Sequence, residues 1–414
     1  MSHAIVLLMG AALAAGCAEQ VEPPPPQPPV ALKDAASVVS AGNGFAFNLY
    51  AALRPRGGNL FFSPESAATA LSMVWCGARG ETARQMQAVL GCGTDAPVPP
   101  EAIAAAYRAH LEQLAAPPRE HELVAANAVW GQKGYAFEGA YLGLLRIEYG
   151  APLQEADFAG NPEAARGTIN RWTNERTRGL IPDIGPPGFI LPETRLVLVS
   201  AIYFKARWQR PFERWGTRDG PFHVGRFTRI SVPMMHQGES LYGYAEDERV
   251  QVLEMPYRGG DASMVIILPK ERFGLADVEK TLSAAQVAAW VSRIENQEVK
   301  VTLPKFKATS AFSLRKTLSS LGMPLVFAWP GADLSGMNGG REALFLQDAL
   351  HQAFVAVDEE GTEAAAATME ATPPSPAQPP GPPEFIADHP FLFLIRDTRS
   401  GCILFMGRLA DPKE

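Results

Sequence analysis

Cysteine is scarce, with four among 414 residues, which excludes a small disulfide-stapled scaffold. No CxxC or HExxH pair occurs and the seven His are scattered, so no metal site and no cofactor is expected. Charged residues make up only 20% and no basic run is present; with a formal net charge of −7, nucleic acid and polybasic membrane binding are excluded. Nucleophile motifs are missing as well. There is no G-x-S-x-G elbow and no combined S-x-x-K, S-D-N and K-T-G set. Gly91-Cys92-Gly93 and Gly339-Gly340 lack the remaining glycine or Lys-Ser/Thr of a phosphate loop. A hydrolytic enzyme is therefore the weakest reading.

Long apolar runs are also rare. The longest, Ala4 to Gly16, is too short for the ~20 residues of a spanning helix and has the length of a signal-peptide core. Leu13-Ala14-Ala15-Gly16-Cys17 resembles a bacterial lipoprotein signal, in which small residues precede a Cys that takes the lipid. Residues 1–16 thus read as signal peptide, and Cys17 as a lipidated N-terminus that links the membrane only through its anchor; an ordinary signal peptide with an incidental Cys is the alternative. Export is expected, to the cell envelope or the extracellular space. Cys76, Cys92 and Cys402 remain. The sixteen-residue interval makes Cys76–Cys92 the one pair suited to a bridge, against the favoured reading of three buried thiols.

What the chain has in quantity is proline, in two tracts. Glu22 to Pro29 holds six prolines in eight residues, an extended spacer that places residues 17–37 between anchor and domain. Pro373 to Pro383 holds seven in eleven but is followed by strongly apolar sequence, so it is an exposed loop of one domain spanning 38–414. Within that domain, Asn161-Pro162-Glu163 supplies a cap, a proline in the first turn and an acidic start. Ala165, Ile169 and Trp172 then share a face, and Gly179 ends the helix. Leu196 to Phe204 is almost continuously apolar and rich in β-branched and aromatic residues, as a strand buried on both faces requires. The runs 250–257 with 262–268 and 391–396 with 402–406 flank turn residues and read as hairpins. Helices cluster before residue 180 and strands after it, which predicts an α+β fold with large, mostly antiparallel sheets.

Glu359-Glu360-Gly361-Thr362-Glu363-Ala364-Ala365-Ala366-Ala367-Thr368 leads into the second proline tract. By propensity an Ala run is helical. A segment of Gly, Thr and Ala could equally be threaded between strands of a sheet without steric conflict. Around it lie Asn59-Leu60-Phe61-Phe62-Ser63-Pro64, Gly77-Ala78-Arg79-Gly80-Glu81-Thr82, Asn170-Arg171-Trp172 and Trp208-Gln209-Arg210-Pro211-Phe212. Further on come Pro304-Lys305-Phe306, Ala332 to Met337, His351, His389-Pro390-Phe391-Leu392-Phe393 and Leu404 to Arg408. In this ordered set the chain resembles the serpin family from about residue 38 to its C-terminus.

The resemblance implies three mostly antiparallel sheets, about eight to nine helices and an exposed reactive-centre loop over residues 359–386. It implies a monomeric inhibitor of serine endopeptidases, with cysteine endopeptidases as the alternative target, not an enzyme, that is cut once and inserts its loop as a new strand. The partner would be a serine protease, elastase-like or subtilisin-like. A non-inhibitory binding protein displaying a rigid proline-rich loop is the alternative. Gly361 to Thr368 would be the hinge. Ser63, Ser66, Ser200 and His351 would form a polar cluster under the opening strands, with Ser200 standing where the family has Asn, so that an underfilled gap is expected there. Trp208, Lys305 and Glu359 would sit at the top of the sheet. Counting from Gly361 lands on Ser375-Pro376, and proline after the cut is a poor protease substrate. Ala377-Gln378 is therefore the expected reactive bond, with Ser375 and Pro374 as alternative bait residues.

Overall fold

The computed structural model describes residues 30–93, 96–362 and 381–414. Its long helices come first: α1 (Ala35–Leu53), α2 (Pro64–Gly77), α3 (Gly80–Val89), α4 (Pro100–Ala115), α5 (Gly139–Glu148) and α6 (Pro162–Arg176). Four short ones follow, α7 (Leu275–Lys280), α8 (Ala284–Val291), α9 (Arg315–Ser320) and α10 (Ser335–Asn338). The strands are β1 (Leu60–Phe62), β2 (Glu122–Gln132), β3 (Gln154–Ala156), β4 (Leu196–Arg207), β5 (Arg218–Gly225), β6 (Thr228–Glu246), β7 (Val250–Pro256) and β8 (Ala262–Pro269). They continue with β9 (Glu295–Pro304), β10 (Phe306–Ser313), β11 (Asp348–Val357), β12 (Gly361–Thr362), β13 (Glu384–Ile386), β14 (Phe391–Asp397) and β15 (Ile403–Leu409).

Local chemistry sets these bounds. Asn161 caps α6 by accepting from the Ala164 amide, and Ala165 and Ile169 are buried on its inner face. Gly179, at φ 85°, closes the C-terminus by donating to the Asn174 carbonyl. In β4, Val197, Val199 and Ala201 pack towards α6, whereas Leu196 and Leu198 face the α2 side and Ile202, Phe204 and Ala206 the second sheet. Both faces are covered, hence the unbroken apolar run.

The six-stranded sheet runs β10-β11-β4-β2-β3, with β12 paired on β4; the nine-stranded sheet runs β1-β15-β14-β8-β7-β6-β9-β13, with β5 on β6. Two sheets among the described residues thus replace the three expected. The physical reason is β6, 19 residues long, which pairs with β5 over Thr228–Met234 and with β7 over Gly243–Glu246, while β9 pairs with it from Met234 to Tyr244 across a bulge at Gln237/Ser240. One continuous strand fuses two sheets. Among the described residues there are ten helices instead of eight or nine, the excess lying in short pieces of four to six residues. Parallel pairs occur at β11·β4, β2·β3 and β13·β9, so the sheets are mixed.

Three thiols, Cys76, Cys92 and Cys402, are free and buried. Burial pushes the Cys76 and Cys92 thiols up to about 12, which leaves them unreactive. Among the described residues no helix is long and apolar enough to cross a membrane, and no group of His, Cys, Asp and Glu could hold a metal ion.

Candidate functional site

The site is the seam between β4 and β11, the two central strands of the six-stranded sheet. They pair in parallel from Asp348↔Val197 to Phe354↔Tyr203, with His351 opposite Ser200. Parallel ladders are somewhat weaker per residue than antiparallel ones.

A chain of hydrogen bonds runs beneath this seam. The Ser63 amide donates to His351 Nε2 over 3.0 Å, which places the imidazole proton on Nδ1. His351 Nδ1 then donates to Ser200 Oγ (3.0 Å), Ser200 Oγ to Ser66 Oγ (3.0 Å), and Ser66 Oγ to Asn127 Oδ1 (2.9 Å). Ser63, as N-cap of α2, accepts from the Ser66 amide and donates to the Leu404 carbonyl at 2.6 Å. Each hydroxyl passes its proton onward, so the buried groups are satisfied without water. His351 is fully buried, which drives its pKa down to about 3, and it is neutral at ordinary pH. The gap expected at Ser200 is absent: its hydroxyl reaches both neighbours, and Asn127 on β2 supplies the amide. Asn127 sits at an ordinary polar position of an alternating strand, and its partner Ser66 is 61 residues away. No local signal in the sequence singled it out.

A second cluster closes the top of the seam. Lys305 Nζ meets Glu359 Oε2 at 2.7 Å, and Thr217 donates to Glu359 Oε1 at 2.7 Å. Burial raises the Glu359 pKa, but these two donors outweigh it and hold the carboxyl below its ordinary value. Trp208 Nε1 donates to the Asp358 carbonyl (3.0 Å), and its ring stacks on Tyr257 with centroids 4.6 Å apart. Tyr257 in turn hydrogen-bonds Thr362 Oγ1 at 3.0 Å. Tyr257 and Thr217 were not legible in the sequence, since each is brought to the site by a separate turn, and Asp358, beside Glu359 in the chain, contributes only its backbone carbonyl to Trp208.

The root of the loop is already in the sheet. Gly361 and Thr362 form β12, antiparallel on β4, with Gly361↔Arg207 and Thr362↔Ala206, and both are buried. A Cβ at Gly361 would stand 2.1 Å from the Ala206 carbonyl oxygen, and φ is +151°, so glycine is required here. The rest of the hinge (Glu363, Ala364, Ala365, Ala366, Ala367, Thr368), the bait candidates Pro374, Ser375 and Ala377 with Gln378, and Cys17 lie outside the described residues.

A polar chain under a parallel seam, a cluster above it and a loop root paired on β4 are accompanied by a family match. The serpin model, that of the serine protease inhibitors, covers residues 40–412. The chain is a serpin. It is 42% identical over 380 residues to an uncharacterised serpin-like protein of Thermococcus kodakarensis, covering 91% of this chain and 86% of that one. It is 38% identical over 382 residues to human leukocyte elastase inhibitor, covering 90% and 99%. Among solved structures, a highly specific serpin of the insect Tenebrio molitor superposes with a TM-score of 0.79 at 31% identity, covering 90% of this chain and 98% of that one. The serpin belongs to a family of protease inhibitors and is not an enzyme.

Proposed function

We propose that this serpin inhibits serine endopeptidases by being cleaved once and inserting its loop into the six-stranded sheet. The carrying observation is β12. Its register, Gly361↔Arg207 and Thr362↔Ala206, would, if extended on insertion, bring residue 372 opposite Leu196, the first residue of β4. The proline-free run 361–372 therefore matches the 12 residues of β4 one for one, and Pro373 falls beyond the strand. Side chains alternate along a strand, so on insertion Ala364 and Ala366 would follow buried Thr362 onto the inner face, where small residues would meet no steric barrier.

In the reaction the protease serine attacks the carbonyl of the bait residue, the peptide bond breaks, and the new amino terminus leaves with its proton. The bait acyl group stays on the serine as an ester. Insertion replaces one parallel pairing by two antiparallel ones and carries the ester-linked protease away before water can attack it. The bait bond proposed is Ala377-Gln378, whose small residue suits an elastase-like or subtilisin-like pocket; relatives named leukocyte elastase inhibitor favour the former. Export with a lipid on Cys17 belongs to the same reading, and intact mass of the mature N-terminus tests it.

The test is incubation with elastase-like and subtilisin-like serine proteases, read on a denaturing gel. A complex that survives denaturant is expected, with Gln378 as the new N-terminus by mass spectrometry and a raised thermal midpoint of the cleaved chain. Cleavage products alone, with an unchanged midpoint, overturn the inhibitor reading and leave a binding protein.

A further inference from the structure

Residues 205–229 carry Lys205 and six arginines (207, 210, 214, 218, 226 and 229) against Glu213 and Asp219. That is +7 − 2 = +5 in a chain of net −7, so the remainder of the chain sums to −12. Arg207, Arg218, Arg226 and Arg229 are exposed and have no ion pair among the described residues. Within this basic stretch, Trp215 is 55% exposed at the rim of a cavity of about 410 Å³ that Arg218, His236 and Gln237 also line, with Glu213 as its one acidic residue. A Cβ on Gly216 would lie 3.0 Å from the His236 carbonyl oxygen; without one, the turn 214–216 rests directly on β6 and Trp215 projects outward.

The cavity lies between the two roots of the loop. On one side Arg214 pairs with Glu360 at 2.8 Å and Thr217 with Glu359, tying the turn to the strand that ends at Thr362. On the other, His236 faces Thr302 of β9 in the ladder, and Thr302 faces Ile386 of β13, where the loop has returned. A body that grips the loop would approach the molecule between these two roots, on the side of this cavity.

We propose that the Trp215–Arg218 cavity is a docking surface for the protease bound to the loop, taking an acidic segment of that protease's surface beside its active-site cleft. Trp and Arg are the side chains that most often carry binding energy when desolvated at an interface centre. Arg218 at the cavity, and the net positive charge of the 205–229 stretch, would attract an acidic partner and speed encounter. The proposal rests on the inhibitor reading and adds a determinant of which protease is taken and how fast.

The experiment uses the full chain and a protease that forms the denaturant-stable complex. The association rate constant and the stoichiometry of inhibition are measured at several salt concentrations for the parent, Trp215→Ala, Arg218→Glu and, on the distant helix α5, Arg146→Glu. Trp215→Ala and Arg218→Glu should each slow association by roughly tenfold, and Arg218→Glu should flatten its salt dependence. Stoichiometry and native thermal midpoint should hold, and Arg146→Glu should behave as the parent. Equal rates and salt slopes for all four overturn the docking surface while inhibition stands. Failure of the parent to form any complex overturns the inhibitor reading and the surface with it. Self-association of the parent in sedimentation that Trp215→Ala abolishes assigns the surface to a second copy, against the proposal.

Discussion

Protonation of His351 should open the sheet. With the sheet closed, its pKa is about 3; once the seam parts and water enters, it should return to about 6.5. The closed form thus binds fewer protons than the open one, and its stability is complete above pH 6.5 and lost progressively as pH falls from 6.5 towards 3. At pH 4.5 the open state is two units below its own pKa while the closed state is scarcely protonated. The loss relative to pH 7.5 is then about 2.7 kcal/mol, roughly a hundredfold in the open population. His351→Gln keeps a donor and an acceptor but has no proton to take up. Urea midpoints at the two pH values, with native gels for loop-linked polymers after mild warming, measure the effect in both proteins. Other carboxylates contribute to both slopes, so the difference between the slopes isolates the imidazole. Equal slopes, or a steeper one in His351→Gln, would refute the argument.

Thr362→Arg places a guanidinium where a hydroxyl is fully buried against Tyr257, and should convert inhibition into plain cleavage on a denaturing gel. Stoichiometric inhibition by that variant would contradict insertion. Lys305→Thr leaves the buried carboxyl of Glu359 with Thr217 alone and should increase polymer on native gels after warming; no increase counts against a closing role for this pair. Glu370 is the one acidic residue that the β12 register sends to the inner face, opposite Leu198. Glu370→Leu should lower the number of inhibitor molecules consumed per protease and raise the midpoint of the cleaved form, both read against the parent; unchanged values mean that insertion stops short of this residue.

Much of this was legible because it is local. The apolar run of β4, the Asn161 cap of α6 and the two hairpins each announce themselves within a few residues, and the ordered motifs tie the chain to one family. The fusion of two sheets through β6 was not, because a bulge between Gln237 and Ser240 leaves no break in composition. Neither were the partners that complete each cluster. Asn127 looks like any outward polar residue, and Tyr257 like the end of a hairpin strand, until tertiary packing brings them to Ser66 and Thr362. The buried ions Asp397 and Asp261 with Arg119 were missed for the same reason, since they come from three separate turns.

The pairing of Gly361 and Thr362 with β4 has a kinetic meaning. A free segment of small, similar side chains could settle on a sheet in several offsets, and an error of one residue would turn Glu363 inward and Thr362 outward. With two residues fixed before any bond is cut, the alignment problem is solved in advance. Under the proposed mechanism, cleavage would then start an advance along a track instead of a search among alternatives. The step with a hydrolytic clock against it would be the one the molecule has shortened beforehand.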